Sequence, residues 1–167
     1  MTLQRYLSRD IGAAVARALS AFPIVVLTGM RQTGKTTLLQ NDPALSGRRY
    51  LTLDDFPTLE AARRSPEQLL AGDDPVTLDE IQRVPQLLLA VKSLVDKGRR
   101  PGRFLLSGSG NLALVRGATE SLAGRAAMLE LCGFTRRELS GPLGPRPVLV
   151  ELLAGRAPRD GQRRELA

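Results

Sequence analysis

An apolar run, Ile24-Val25-Val26-Leu27, leads directly into Gly29-Met30-Arg31-Gln32-Thr33-Gly34-Lys35-Thr36. This order of strand, glycine loop and helix start constrains the fold more than any other stretch of the chain. The pattern G-x-x-x-x-G-K-[ST] has mechanical meaning only in that context. Its glycines let the backbone turn tightly and aim successive N–H groups inward, which makes a concavity for anions at the start of a helix. Gly29, Arg31, Gln32, Thr33, Gly34, Lys35, Thr36 and Thr37 are therefore the expected phosphate-binding residues. Lys35 is placed to reach β- and γ-phosphates, and Thr36 to put its hydroxyl on Mg²⁺. The alternative is an ordinary glycine turn ahead of a helix.

The rest of the chain repeats the same alternation. Leu3, Leu7, Ile11, Val15 and Leu19 recur every four residues and predict an amphipathic helix over 2–19. Ile24–Thr28 is the first strand, and a helix from Gly34 must stop near Asn41-Asp42-Pro43. Tyr50–Leu53 is a second strand ending in Asp54-Asp55. Ser65-Pro66-Glu67 opens a short helix with Leu69 and Leu70 inside, Ser65 serving as N-cap. Val76–Leu78 forms a third strand that runs into Asp79-Glu80, and Pro85 starts a helix through Val95. Arg103–Ser107 and Ala126–Leu131 are the fourth and fifth strands, and Thr135-x-x-Glu138 is a capping box. Strands alternating with helices mean an α/β protein with a mainly parallel five-stranded sheet.

Composition narrows the chemistry. With 167 residues the chain is long enough for one domain with a substantial core. It has no histidine, which removes Ser-His and Cys-His mechanisms, and Cys132 is its lone cysteine. No apolar stretch is long enough to span a membrane, and the N-terminus does not read as a secretory leader. A reduced, cytoplasmic setting is the expectation. The net charge of +7 raises nucleic acid as a partner. That support is weak, because the basic residues are mostly scattered arginines and residues 1–132 hold 17 basic against 13 acidic side chains. From residue 140 onward Gly and Pro make up 8 of 28 residues, so 140–167 is expected to be a partly disordered tail with one helix at Val148–Ala154.

A second set of residues says what happens to the phosphate. Asp79 at a strand end is able to hold Mg²⁺, directly or through water, and Glu80 to polarise the water that attacks the γ-phosphate. An acidic pair capping a helix is the alternative reading. Ligands of open α/β sheets sit beyond the carboxyl ends of the strands, where Thr28, Asp79 and Ser107 all emerge. Ser107 and Ser109 are candidates for sensing the γ-phosphate or holding the attacking water, and otherwise are turn formers. Arg125 is a candidate for stabilising developing negative charge, within the chain or on a neighbour, or else a helix cap.

Together these words resemble a family of bacterial and archaeal AAA-type P-loop ATPases. The matching stretches are Val26–Leu38, Leu53-Asp54-Asp55, Leu78-Asp79-Glu80-Ile81-Gln82-Arg83-Val84-Pro85, Leu106-Ser107-Gly108-Ser109 and Ser121-Leu122-Ala123-Gly124-Arg125. They stand in the family's order over about residues 5–140. The resemblance implies a three-layer P-loop NTPase domain over residues 1–139. Its sheet has an extra strand between those bearing the two nucleotide motifs, in the order 5-1-4-3-2. It also implies ATP and Mg²⁺, with hydrolysis assisted by Glu80. Relatives usually carry a further C-terminal domain, so the chain reads as a fragment or a natural truncation, with that domain or another protein as partner. Two departures accompany the match: this C-terminal part, and a third strand shortened by Asp73-Asp74-Pro75 and Thr77. A nucleotide-gated switch with little turnover and a small-molecule kinase are the competing functions.

Overall fold

The computed structural model describes residues 6–109 and 122–139. Five strands, β1 (Ile24–Thr28), β2 (Arg49–Thr52), β3 (Val76–Asp79), β4 (Phe104–Ser107) and β5 (Ala126–Glu130), form one sheet in the order β2-β3-β4-β1-β5. This is the order implied by the family resemblance, and the described pairs are all parallel. The registers Leu27↔Ser107, Thr28↔Glu130 and Thr52↔Asp79 bring the strand ends to one carboxyl edge.

Alternation along the strands sorts the core into two layers. Ile24, Val26, Val76, Leu78, Phe104 and Leu106 face one side. There they pack on helices α3 (Phe56–Arg64) and α5 (Leu87–Lys97) through Leu59, Leu87, Val91 and Val95. Val25, Leu27 and Leu105 face the other side, against α1 (Asp10–Ala21) and α2 (Lys35–Asn41). Each fully buried leucine of this kind contributes roughly 1.5–3 kcal/mol. The continuous apolar strands are those of a sheet covered on both faces.

Local chemistry explains most boundaries. Helix α1 ends before Phe22, whose backbone is extended because Pro23 follows it. Helix α2 ends before Asp42 for the same reason, Pro43 being next. Asp55 accepts a hydrogen bond from Thr58 N at 3.0 Å and so caps α3, which carries Pro57 in its first turn. The Thr58 hydroxyl, which donates to the same carboxylate at 2.7 Å, and then the Thr58 N–H hold the Asp55 carboxyl below its usual pKa. A short helix α4 (Pro66–Leu69) follows, and Leu70 is fully buried behind it.

Three expectations need correction. The amphipathic stripe does not extend one helix back to residue 2: residues 6–9 are not helical, Arg9 has an extended backbone, and α1 begins at Asp10. Leu7 is 42% exposed, and Arg9 is drawn off by tertiary bonds described below. Helix α3 follows the second strand where the sequence suggested only a terminal acidic pair. Ser65 stands at the N-cap of α4 but makes no capping side-chain bond.

The chain forms two compact units, Met1–Gly133 and Phe134–Ala167. The described part of the second contains helix α6 (Arg136–Leu139). Its capping box is present in both directions: Thr135 N donates to Glu138 Oε2 at 2.7 Å, and Glu138 N to Thr135 Oγ1 at 3.2 Å. The expected tail over 140–167, with its helix at Val148–Ala154, lies outside the described residues, as do Gly110 and Asn111.

Candidate functional site

Strand β1 delivers the chain into the glycine loop at Thr28. Gly29 has φ +154, and a Cβ there would fall 2.4 Å from Leu131 O, so the backbone passes where no side chain fits. Gly34 turns into α2 with φ +90. Between them Gln32 takes a left-handed conformation, φ 64, that non-glycine residues rarely adopt. Thr33 Oγ1 donates to Met30 O at 2.9 Å and closes the loop on itself.

Lys35 is 6% exposed, and its ammonium donates to Gly29 O at 2.9 Å and Met30 O at 2.8 Å. The charge is thus held inside the curve of the loop. Thr36 Oγ1 donates to Asp79 Oδ2 at 2.7 Å, joining the loop to the end of β3. Asp79 is 1% exposed and has two further donors. Tyr50 O–H reaches Oδ2 at 2.8 Å from β2, and Glu80 N reaches Oδ1 at 3.0 Å. Burial, and then the bond to Asp79, raises the Tyr50 hydroxyl above its ordinary pKa, so it remains a donor at neutral pH.

Glu80 itself is left-handed, with φ 59 and ψ 40. Such strain in a non-glycine residue persists only where surrounding contacts over-determine it. Here the contacts are its own N–H on Asp79 and a donated bond from Gln82 Nε2 to its carboxylate. A cavity of about 700 Å³ opens at this edge. The loop lines it with Arg31, Gln32 and Gly34 through Thr37, and Glu80 and Ser109 complete the lining. Two cations, Arg31 and Lys35, therefore share the space with one carboxylate, a balance that favours an anionic guest.

The other expected residues are placed differently. Gly29 and Thr33 shape the loop without lining the cavity. Ser107 is fully buried at the end of β4, with an Oγ that has no hydrogen-bond partner among the described residues; Ser109 lines the cavity instead. Arg125 immediately precedes β5 and its carbonyl accepts from Ile24 N, so it lies at the amino edge. Five strand residues, about 16 Å, separate that edge from the loop. Its Nε donates to Asp96 at 2.6 Å on the last turn of α5. This placement corrects Arg125 as a group acting on the phosphate within its own domain.

Sequence reasoning passed over Arg9, Tyr50 and Gln82 as site residues. Arg9 is buried and donates to Thr33 O at 2.8 Å and to Cys132 O at 2.7 Å. In a trans peptide the N–H points opposite to the C=O. With the Thr33 carbonyl drawn to Arg9, the Gly34 N–H is turned the other way. Tyr6 O–H donates to Asp42 at the far end of α2, at 2.9 Å, so the segment before α1 braces both ends of the loop–helix unit. Arg83 donates to Leu53 O at 3.0 Å and pairs with Asp54, which joins two of the sequence words quoted above.

Among the described residues no helix is long and apolar enough to cross a membrane, and no group of three His, Cys, Asp or Glu side chains gathers to hold a metal. The oxygen donors present are the Thr36 hydroxyl and the Asp79 carboxylate, hard ligands of the kind Mg²⁺ takes alongside water and phosphate oxygens.

Comparison with known proteins bears on the family and on the fold. A family model described as an AAA domain matches residues 21–140. The chain is 41% identical over 142 residues to uncharacterized proteins of Mycobacterium bovis (Mb2031c) and Mycobacterium tuberculosis (Rv2008c). Those matches cover 83% of this chain and 31% of each relative, so the chain spans about a third of the length of these curated relatives. Among solved structures it is similar to a Walker-type ATPase of Pyrococcus abyssi. The TM-score is 0.53 at 14% identity, covering 96% of this chain and 62% of that one, a likeness of fold.

Proposed function

We propose that the carboxyl-edge cavity of this chain, which belongs to the family described as an AAA domain, binds ATP with Mg²⁺ and hydrolyses the γ-phosphate. The observation that carries the reading is that Lys35, Thr36 and Glu80 line one cavity, with Asp79 bonded to Thr36 behind it.

The loop amides and Lys35 take the β- and γ-phosphate oxygens, and Arg31 adds a second positive charge to the cavity. Thr36 and Asp79 are the groups that would hold Mg²⁺, which when bound neutralises charge on the phosphate oxygens. Glu80 accepts a proton from a water molecule, whose oxygen forms the new bond to the γ-phosphorus. The bond from that phosphorus to the β–γ bridging oxygen breaks, and ADP leaves with the electron pair. Arg125 has a place in this scheme only on a neighbouring molecule. The setting we propose is cytoplasmic, and the partner is whatever protein or further module couples to turnover.

Phosphate release from Mg-ATP by the 167-residue chain, against Glu80→Gln, tests the scheme. General-base assistance is worth about 10²–10⁴-fold, so the variant is expected to lose at least 10²-fold while still binding ATP. Equal turnover by both proteins removes Glu80 as the base. Tight ATP binding with turnover no faster than buffer would instead support a nucleotide-gated switch.

A further inference from the structure

Gln82 is the polar side chain at the carboxyl edge that the hydrolytic scheme leaves without a task. It lies in the 3-10 turn Ile81–Arg83 and is partly buried. Its Nε2 donates to Glu80 Oε2 and, at 3.1 Å, to Ser109 Oγ. An amide nitrogen carries two hydrogens, so both bonds exist together. The reversed amide would set an oxygen against the carboxylate, which fixes the orientation. The remaining atom, Oε1, is buried and has no hydrogen-bond partner among the described residues. Gly108 makes room for it: a Cβ at that position would fall 2.6 Å from Gln82 Oε1.

Direction matters in this chain of bonds. Ser109 Oγ accepts from Gln82 and keeps its own hydrogen to donate, and Ser109 lines the cavity. We propose that Gln82 is a positioning residue that ties the orientation of Glu80 to occupancy of the γ-phosphate site through Ser109. The proposal rests on Glu80 as the base. When Ser109 donates to a γ-phosphate oxygen, its oxygen becomes a better acceptor for Gln82, since linked hydrogen bonds polarise one another. The amide, already bonded at both hydrogens, is then held more firmly, and the Glu80 carboxylate with it. ADP lacks that oxygen and leaves the relay one link short. The left-handed Glu80 backbone is what lets its carboxylate meet a side chain only two residues ahead.

The test uses the 167-residue chain and four single variants, Gln82→Ala, Gln82→Glu, Gly108→Ala and Ser109→Ala, with thermal unfolding to confirm that each folds. Turnover gives kcat and KM, and calorimetry gives affinities for ADP and for a non-hydrolysable ATP analogue. Gln82→Ala is expected to lower kcat about 10- to 100-fold, the scale of a hydrogen bond to a charged group. It should leave ADP affinity within about two-fold while reducing the preference for the analogue over ADP. Gln82→Glu, equal in size, should lose at least as much because it faces Glu80 with a second carboxylate. Gly108→Ala should reproduce part of the loss by displacing an unaltered Gln82. Combining Ser109→Ala with Gln82→Ala should cost no more than the larger single change.

Wild-type kcat and analogue preference in both Gln82 variants overturns the proposal. So does an equal loss of ADP and analogue affinity, which marks a merely structural residue. A wild-type chain that binds but never turns over ATP refutes the hydrolytic scheme alone. The link through Ser109 then stands if Gln82→Ala abolishes the analogue preference, and falls if it does not.

Discussion

Two groups of cations, one at each edge of the sheet, are set to different uses. At the amino edge, Arg48 donates to Gly102 O at 2.7 Å, Val76 O at 2.8 Å, Arg103 O at 3.3 Å and Thr77 Oγ1. Arg103 donates to Gly72 O at 2.8 Å, and Arg125 pairs with Asp96. These guanidinium groups satisfy strand-end carbonyls and carboxylates. At the carboxyl edge, Arg31 and Lys35 line a cavity, beside two non-glycine residues in left-handed conformations. An arginine-rich composition is therefore no guide to function here. What separates the edges is strain beside open space, against charge consumed in holding strands together.

The largest effect should come from the working edge. Lys35→Ala is expected to weaken ATP binding about 10²- to 10³-fold by calorimetry, while the sheet still unfolds cooperatively. A comparable fall in stability with intact binding would erase the distinction between the edges. Arg48→Met should do the reverse. It keeps the apolar stem but leaves buried carbonyls without a donor, and should cost about 2–4 kcal/mol in urea unfolding without changing the ATP affinity of the folded fraction.

Tyr50→Phe sits between the two. Loss of one donor to Asp79 should raise the Mg²⁺ concentration for half-maximal ATP binding by about 3- to 10-fold. It also has a pH signature. A tyrosine ordinarily ionises near 10.0, and the folded state raises Tyr50 above that value. The unfolded chain therefore loses its proton first, so this contribution is complete below pH 10 and fades as pH rises beyond it. The variant's stability should fall less steeply above pH 10 than the wild type's, though Tyr6, raised in the same direction, keeps part of the slope. The smallest effect belongs to Arg125→Ala. Its half-exposed pair with Asp96 is worth about 0.5 kcal/mol, and in dilute protein turnover should stay within about two-fold. A loss that appears only at high protein concentration would assign it to a neighbour's site.

Local signals in the sequence carried the strands, the loop and the capping box, because apolar runs, glycine spacing and Thr135-x-x-Glu138 each act over a few residues. Helix α3 was illegible because Phe56-Pro57 after two aspartates reads as a turn, although Asp55 followed by a proline in the first turn is also a start signal. The N-terminal stripe misled for another reason. Its spacing continues through Leu7, but Arg9 is claimed by carbonyls up to 124 residues away. Tyr50 and Gln82 looked like an ordinary strand residue and one letter of a motif. Their roles depend on Asp79 and Ser109, 29 and 27 residues on, which no periodicity encodes.

The Arg9 clamp has a consequence for how tightly a nucleotide is held. A flexible glycine loop would lose conformational freedom when a phosphate ordered it, and binding would be weakened by that loss. Here one guanidinium already fastens the Thr33 peptide to the exit of β5 at Cys132 and Gly133, so much of the ordering precedes the guest. The grip on phosphate is set when the chain folds, by a residue that never needs to touch it.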